Sequence, residues 1–143
     1  MKKILIAVDG TPSCDRATEA VVQKHGADAK AGKVEIHLLN VQHPVPGDVN
    51  TFVDHDEIKH YHHDEGIKAL ASSRAILDRA AVPYLFHISV GQPWEIIIRF
   101  AEERKCEEIV IGTHKHSAIM ALLVGSVEED VKRHTTIPVT IVP

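Results

Sequence analysis

The sequence has few cysteines, and none at a spacing typical of metal or redox sites. Cys14 and Cys106 are the two thiols among 143 residues, and no C-x-x-C motif occurs. Disulfide frameworks and structural zinc sites need more cysteines, or pairs at close spacing. The composition therefore suggests neither a disulfide framework nor a thiolate metal site, and each cysteine is predicted to be a small buried hydrophobic residue.

Apolar runs long enough for a membrane span are also missing. The runs that occur are short, such as ILIAV at 4–8 and IVIG at 109–112, whereas a spanning helix needs about 20 apolar residues. The N-terminus enters strand-like sequence almost at once, which leaves no room for a signal peptide. We therefore predict a protein of the cytoplasm that does not enter a membrane.

The chain shows no excess of positive charge. Its 16 Lys and Arg residues and 20 Asp and Glu residues are mixed along the sequence and give a net charge of -4. Nucleic-acid binding normally requires a broad basic face. No nucleic-acid partner is predicted.

Strand-like and helix-like segments alternate along the whole chain. Helix starts are predicted at Thr11-Pro12 and Gly91-Gln92-Pro93, and helix ends at Gly26 and before Pro83. Strict alternation favours a five-stranded parallel sheet with helices on both faces, a doubly wound α/β sandwich of three layers. The length suits one domain over 1–143. Strands are predicted over 3–9, 34–41, 84–90, 108–112 and 137–142.

The segment IVIGTHKHSAIMALLVGSV at 109–127 leaves a buried strand at a glycine and resumes as a helix. Ser126 and Glu129 have the spacing of a capping box, so the helix is predicted to begin at Ser126. Backbone N–H groups at a helix start lack partners inside the helix, and they favour an anion there. The segment therefore predicts a phosphate site, although a plain strand exit and helix cap would use the same residues.

Gly112, Lys115 and Gly125-Ser126 have the layout G-x2-G-x9-G-[S/T], with lysine where the second glycine stands. This loop resembles the nucleotide-binding loop of the universal stress protein family. The strands KKILIAVDG with Asp9, IHLLNV with Val41, and IPVTIV extend the resemblance over nearly the whole chain. It implies the strand order 3-2-1-4-5, an adenine nucleotide such as ATP or AMP as ligand, Mg²⁺ beside its phosphates, and a homodimer.

The resemblance also implies roles for single residues. Asp9 would accept hydrogen bonds from ribose hydroxyls or help to hold Mg²⁺, although Asp-Gly-Thr-Pro is also good turn chemistry. The backbone of Val41 would meet the adenine base, and Ser126 would donate to a phosphate oxygen. The complete predicted nucleotide-binding set is Ala7, Val8, Asp9, Val41, Gly112, Thr113, His114, Lys115, Gly125, Ser126 and Val127.

Lys115 leaves two functions open. Its ammonium group is a good phosphate partner, and our first prediction is a nucleotide-binding module that regulates a stress response. A β-carbon pointing into the phosphate site would instead exclude the ligand. The alternative is therefore a dimeric interaction protein that has lost nucleotide binding.

The closing strand, Ile137 to Val142, is the predicted contact of the homodimer. An apolar edge strand left open is an aggregation hazard, and pairing with a second copy removes it. Pro138 would then have to face away from the pairing bonds.

Enzymatic activity has little support. The sequence contains none of the patterns G-x-S-x-G, H-E-x-x-H, G-x-x-x-x-G-K and G-x-G-x-x-G. His114-Lys115-His116 lacks the glycine of the H-x-G-H signature of nucleotidyl transferases. We do not predict an enzyme, and slow ATP hydrolysis with Asp9 and a bound metal is the activity that stays open.

The segment DHDEIKHYHHDE at 54–65 holds four of the 11 histidines. On a helix, His60 and His63 would share a face, and Asp56 and Asp64 lie four residues on either side of His60. Imidazole and carboxylate ligands of this kind suit Zn²⁺ or Ni²⁺ in a metal-responsive module. We predict the plainer alternative, a solvated polar face without a metal.

Overall fold

The structure is a computed structural model that describes residues 1–44, 55–113 and 127–143; of His55 it describes the backbone. The described elements follow one another as strand, helix, strand, as the sequence predicts. Their bounds are β1 Lys2–Ala7, α1 Pro12–Lys30, β2 Val34–Gln42, α2 His55–Arg79, β3 Leu85–Val90, α3 Pro93–Glu103, β4 Glu108–Gly112, α4 Val127–His134 and β5 Val139–Val142.

The five strands form one parallel sheet in the order β3-β2-β1-β4-β5. Helices α1 and α2 pack together on one face, and α3 and α4 pack together on the other. The predicted three-layer α/β sandwich and its strand order are confirmed. The described residues include no helix long and apolar enough to cross a membrane.

β1 is buried on both faces, which explains its unbroken apolar sequence. Ile4, Leu5 and Ile6 are each 0% exposed. Ile4 and Ile6 belong to the core under α1 and α2, whereas Leu5 belongs to the core under α3 and α4. Cys14 and Cys106 are buried free thiols, one in each core, as predicted.

The predicted end of the first helix at Gly26 is wrong. α1 continues to Lys30 because Gly26 sits inside it, and a β-carbon there would make only ordinary contact with Val82, at 3.5 Å. The glycine that follows the helix is Gly32, with φ +77°. The N–H of Lys33 donates to the carbonyl of Asp28 at 2.8 Å, so the chain closes the helix through the left-handed geometry that glycine adopts at low cost.

A pair of histidines, buried His37 and half-buried His87, joins β2 to β3. The ring nitrogens His37 Nδ1 and His87 Nε2 are 3.0 Å apart, and His37 Nε2 lies 2.6 Å from Glu35 Oε1. Burial is the main cause that lowers the pKa of both imidazoles. Both imidazoles are therefore neutral in the folded protein near pH 7.

Candidate functional site

The strand register brings three predicted site residues to one level. Ala7 pairs with Leu39 of β2 on one side and with Ile111 of β4 on the other. Asp9, Val41 and Thr113 each follow two residues later, at the carboxyl edge of three neighbouring strands. Because neighbouring strands lie about 5 Å apart, these residues line an edge about 10 Å wide, where open α/β sheets bind ligands.

Asp9 organises the turn between β1 and α1. Its Oδ1 accepts three hydrogen bonds, from the backbone N–H of Thr11 at 3.0 Å, from the Thr11 hydroxyl at 2.6 Å and from the Cys14 thiol at 2.9 Å. Thr11 is the N-cap residue and Pro12 opens α1, as predicted, but the Thr11 hydroxyl makes no capping bond to the helix. Asp9 therefore stabilises this turn, as its sequence context predicts, and it is exposed at the edge of the sheet.

The Cys14 thiol is a hydrogen-bond donor in this turn. Burial, followed by the charge of the Asp9 carboxylate, raises the pKa of Cys14 to about 11. The group therefore stays protonated near neutral pH, and it is not a nucleophile.

Gly112 allows β4 to approach the first turn of α1. A β-carbon at Gly112 would lie 2.1 Å from the Ser13 carbonyl oxygen and 3.1 Å from the Cys14 nitrogen. The φ of Gly112 is not positive, unlike that of Gly10 at +88°. The close approach expected of this glycine is therefore to the backbone of α1.

Sequence reasoning missed Asn40, an amide inside the apolar strand β2. Asn40 is 3% exposed, and its Nδ2 donates to the Val8 carbonyl at 2.8 Å. Gln42 Nε2 in turn donates to Asn40 Oδ1 at 2.6 Å. The N–H of Val8 donates to Leu39 at 2.8 Å, so both backbone groups of Val8 are satisfied just before Asp9. The signal in the sequence that could have found it is the single polar residue, Asn40, in the otherwise apolar end of IHLLNV.

The start of α4 is negatively charged. Its first turn carries Glu128, Glu129 and Asp130, and the Thr113 hydroxyl donates to Glu128 Oε1 at 3.3 Å. Carboxylates stabilise a helix N-terminus, but they repel phosphate. An anion at this edge therefore needs a cation beside it. Val127 is 38% exposed.

Four members of the predicted set, His114, Lys115, Gly125 and Ser126, lie outside the described residues. The predicted helix start at Ser126 lies there too. The structure therefore locates seven of the eleven members, and nucleotide binding by the whole set stays a prediction. The placed members are Ala7, Val8, Asp9, Val41, Gly112, Thr113 and Val127.

From His55 onward, the histidine-rich segment forms the first turns of α2. His60, His63, Asp56 and Asp64 are exposed. Within 1–44, 55–113 and 127–143, no three or more His, Cys, Asp or Glu side chains are grouped to hold a metal ion. His62, between them, is buried.

The model of the universal stress protein family matches residues 1–143. A universal stress protein of Synechocystis is 26% identical over 137 residues, which cover 96% of this chain and 41% of that protein. The chain therefore spans less than half of that relative. A universal stress protein of Methanocaldococcus jannaschii is 30% identical over 148 residues, which cover 99% of this chain and 81% of that protein.

Solved structures have the same fold. The hypothetical protein MJ0577 is 27% identical with a TM-score of 0.77, over 99% of this chain and 94% of that one. A universal stress protein in complex with cAMP has a TM-score of 0.74 at 22% identity, over 99% and 97%. One of Archaeoglobus fulgidus in complex with dAMP has a TM-score of 0.70 at 21% identity, over 100% and 98%.

Proposed function

The chain belongs to the universal stress protein family, and on that premise we propose that it binds an adenine nucleotide and regulates a stress response. The observation that carries the proposal is the strand register. It sets Asp9, Val41 and Thr113 at one level on the carboxyl edge of the sheet, the edge where open α/β sheets generally bind ligands. Two structural neighbours hold the adenine nucleotides cAMP and dAMP, which supports ATP, AMP or a related ligand here.

The nucleotide lies across the strand ends in this proposal. The backbone of Val41 meets the base, and Asp9 contacts the ribose or a bound Mg²⁺. The phosphates lie toward β4 and α4, where Lys115 neutralises part of their charge and Ser126 donates a hydrogen bond. Ala7 and Val8 line the floor beneath the ligand. Gly112, Thr113, His114, Gly125 and Val127 complete the contact set.

The carboxylates of α4 support Mg²⁺ as part of the ligand. Glu128 Oε2 is a buried oxygen without a hydrogen-bond partner, and carboxylate with phosphate oxygens is the ligand set that Mg²⁺ prefers. Mg²⁺ supplies positive charge between the two groups when it is bound. ATP should therefore bind more weakly in EDTA than in Mg²⁺, and equal affinities would contradict this part of the proposal.

Thermal unfolding tests the nucleotide proposal. ATP with Mg²⁺ at millimolar concentration should raise the Tm, because a ligand that binds only the folded state stabilises it. Asp9→Asn keeps an oxygen for the Thr11 N–H but loses the charge, so it should reduce the shift while folding normally. A wild-type Tm that ATP, AMP and cAMP all leave unchanged would contradict the proposal.

We propose a homodimer that pairs through β5. This strand is an edge of the sheet, and the carbonyl of Pro138 just before it accepts the Ile109 N–H at 3.0 Å. Thr140→Lys places a charge on this edge strand and also removes the hydroxyl that donates to Glu108 Oε2 at 2.6 Å, whereas Leu85→Lys places the same charge on the opposite edge strand, β3. Sedimentation equilibrium should show a dimer for the wild type and Leu85→Lys, and a monomer for Thr140→Lys. A wild-type monomer at all concentrations, or a Thr140→Lys dimer as stable as the wild type, would contradict the assignment.

A dimeric interaction protein without a nucleotide is the second candidate function. Lys115 in place of the loop glycine favours it if the lysine β-carbon blocks the phosphate site. The acidic first turn of α4 also favours it, because its carboxylates repel a phosphate group unless Mg²⁺ is present. In that case the dimer forms and adenine nucleotides do not shift the Tm. For both functions, residence in the cytoplasm stays a prediction.

A further inference from the structure

Buried polar atoms without a partner are few among the described residues. Three side-chain atoms are in this position: His25 Nε2, His62 Nδ1 and Glu128 Oε2. His25 Nε2 lies 3.7 Å from Glu108 Oε1, and the other oxygen of Glu128 accepts the Thr113 hydroxyl. Native proteins seldom leave such a group unpaired, because its lost hydration costs free energy. His62, which is only 6% exposed, is the case that needs an explanation.

Two contacts fix the position of His62 along α2. The Arg74 guanidinium lies over the Phe86 ring, 4.1 Å from its centroid, and a β-carbon at Gly66 would lie 2.7 Å from the Ile88 side chain. α2 therefore runs antiparallel to β3, with its start toward the carboxyl edge of the sheet. His62 precedes Gly66 by one turn, which places it about 6 Å nearer that edge.

The same edge carries the end of β3 and of β2. Val90 follows Ile88 by two residues, about 7 Å along the strand, so His62 lies at the level of Val90. Val90 pairs with Gln42, the residue after Val41. His62 is thus beside the ends of the two strands on one side of the proposed nucleotide site.

The last residues of β2 carry polar side chains on the face that α2 covers. Asn40 and Gln42 alternate with Leu39 and Val41, so they point to the same side as Leu38, which packs in the core under α1 and α2. The Gln42 amide bonds to Asn40. The α2 side of this edge therefore combines an imidazole with two amides, whereas the core below it is apolar.

We propose that His62 contacts the base of the bound nucleotide, with Nδ1 hydrogen-bonded to a polar atom on the edge of the base. This inference rests on the proposed function. The base is favoured over the phosphates because His62 lies beside β2 and β3, two to three strand spacings, about 10 to 14 Å, from β4. The unpaired nitrogen then gains its partner when the ligand binds.

Two substitutions test this contact. His62→Leu keeps a similar volume without polar atoms, and His62→Asn keeps an amide near the position of Nδ1. His62→Leu should weaken ATP binding about 5- to 100-fold, and His62→Asn should recover part of the loss. Tyr61→Leu is the matched control at the exposed neighbouring position, and its Kd should equal that of the wild type.

Inorganic triphosphate separates the base from the phosphates. Isothermal titration of wild type and His62→Leu with this probe should give equal affinities, because it has no base. The unliganded Tm of His62→Leu should not fall below that of the wild type, since no hydrogen bond is lost. If His62→Leu does not fold, the ¹⁵N signal of wild-type His62 Nδ1, assigned by its loss in His62→Asn, should shift when ATP is added.

The outcomes separate this inference from the proposed function. Wild-type ATP binding with an unchanged Kd in His62→Leu, or an unmoved Nδ1 signal in the saturated protein, would overturn the His62 contact alone. Equal weakening of ATP and triphosphate binding would overturn the assignment to the base. A wild-type chain that binds no adenine nucleotide would overturn the proposed function and this inference with it.

Discussion

Gly112→Ala is expected to destabilise the protein whether or not a ligand is present. The new β-carbon would lie 2.1 Å from the Ser13 carbonyl oxygen and 2.5 Å from its carbon. Both are backbone atoms in the first turn of α1, so no side-chain rotation can relieve the contact. β4 and α1 would have to separate by roughly 1 Å, since overfilled cores relax only by backbone shifts.

The cost of this separation is set by what the first turn of α1 holds in place. Ser13 is 1% exposed, and Cys14 donates to Asp9 at 2.9 Å, so moving the turn strains the site as well as the core. Overpacking typically costs about 1 to 3 kcal/mol, and the backbone contact places Gly112→Ala near the upper end. For a chain of this length, about 3 kcal/mol corresponds to a fall in Tm of roughly 10 °C.

Gly26→Ala is the matched control. Gly26 is in the interior of α1, and its nearest contact for a β-carbon is Val82 at an ordinary 3.5 Å. Alanine is the better helix former by about 1 kcal/mol, so this variant should have a Tm a few degrees higher than the wild type. Thermal unfolding by circular dichroism of the two variants without ligand measures both effects. A Gly112→Ala variant as stable as the wild type would refute the account of close approach.

Three further predictions concern titration and the loop. The folded pKa values of His37 and His87 lie below the unfolded value of about 6.5. Below that pH the unfolded chain binds more protons than the folded protein, so the Tm should fall as the pH drops below 6.5. A Tm that is constant from pH 8 to 5 would contradict this. Cys14 and Cys106 have raised pKa values and should react slowly with a disulfide reagent at pH 8 until denaturant is added; two fast native thiols would contradict their burial. Lys115→Gly should weaken ATP binding about threefold or more if the ammonium contacts phosphate, whereas tighter binding, measured by titration, would favour the interaction protein.

Most of the fold could be predicted from local sequence patterns. β1 reads as a continuous apolar run, and the structure buries Leu5 and its neighbours on both faces. The pattern failed at Gly26, because a helix stop there and a glycine packed inside a helix have the same local sequence. Contact with Val82, 56 residues away, decides between them, and no local signal reports it.

The candidate site was predictable in position but not in its contacts. Asp9, Val41 and Gly112 were expected at the carboxyl edge, and the register of β1 with its neighbours brings them there. The bonds that Asp9 accepts from Thr11 were implied by turn chemistry. The Ser13 backbone against Gly112 was not implied, because such a contact depends on how α1 lies across β4 in three dimensions.

The most direct test of nucleotide binding is isothermal titration of the wild-type protein with ATP in the presence of Mg²⁺. The account predicts saturable binding with one ATP per chain at millimolar ligand or below. The absence of binding heat with ATP, AMP and cAMP at millimolar concentration would contradict it.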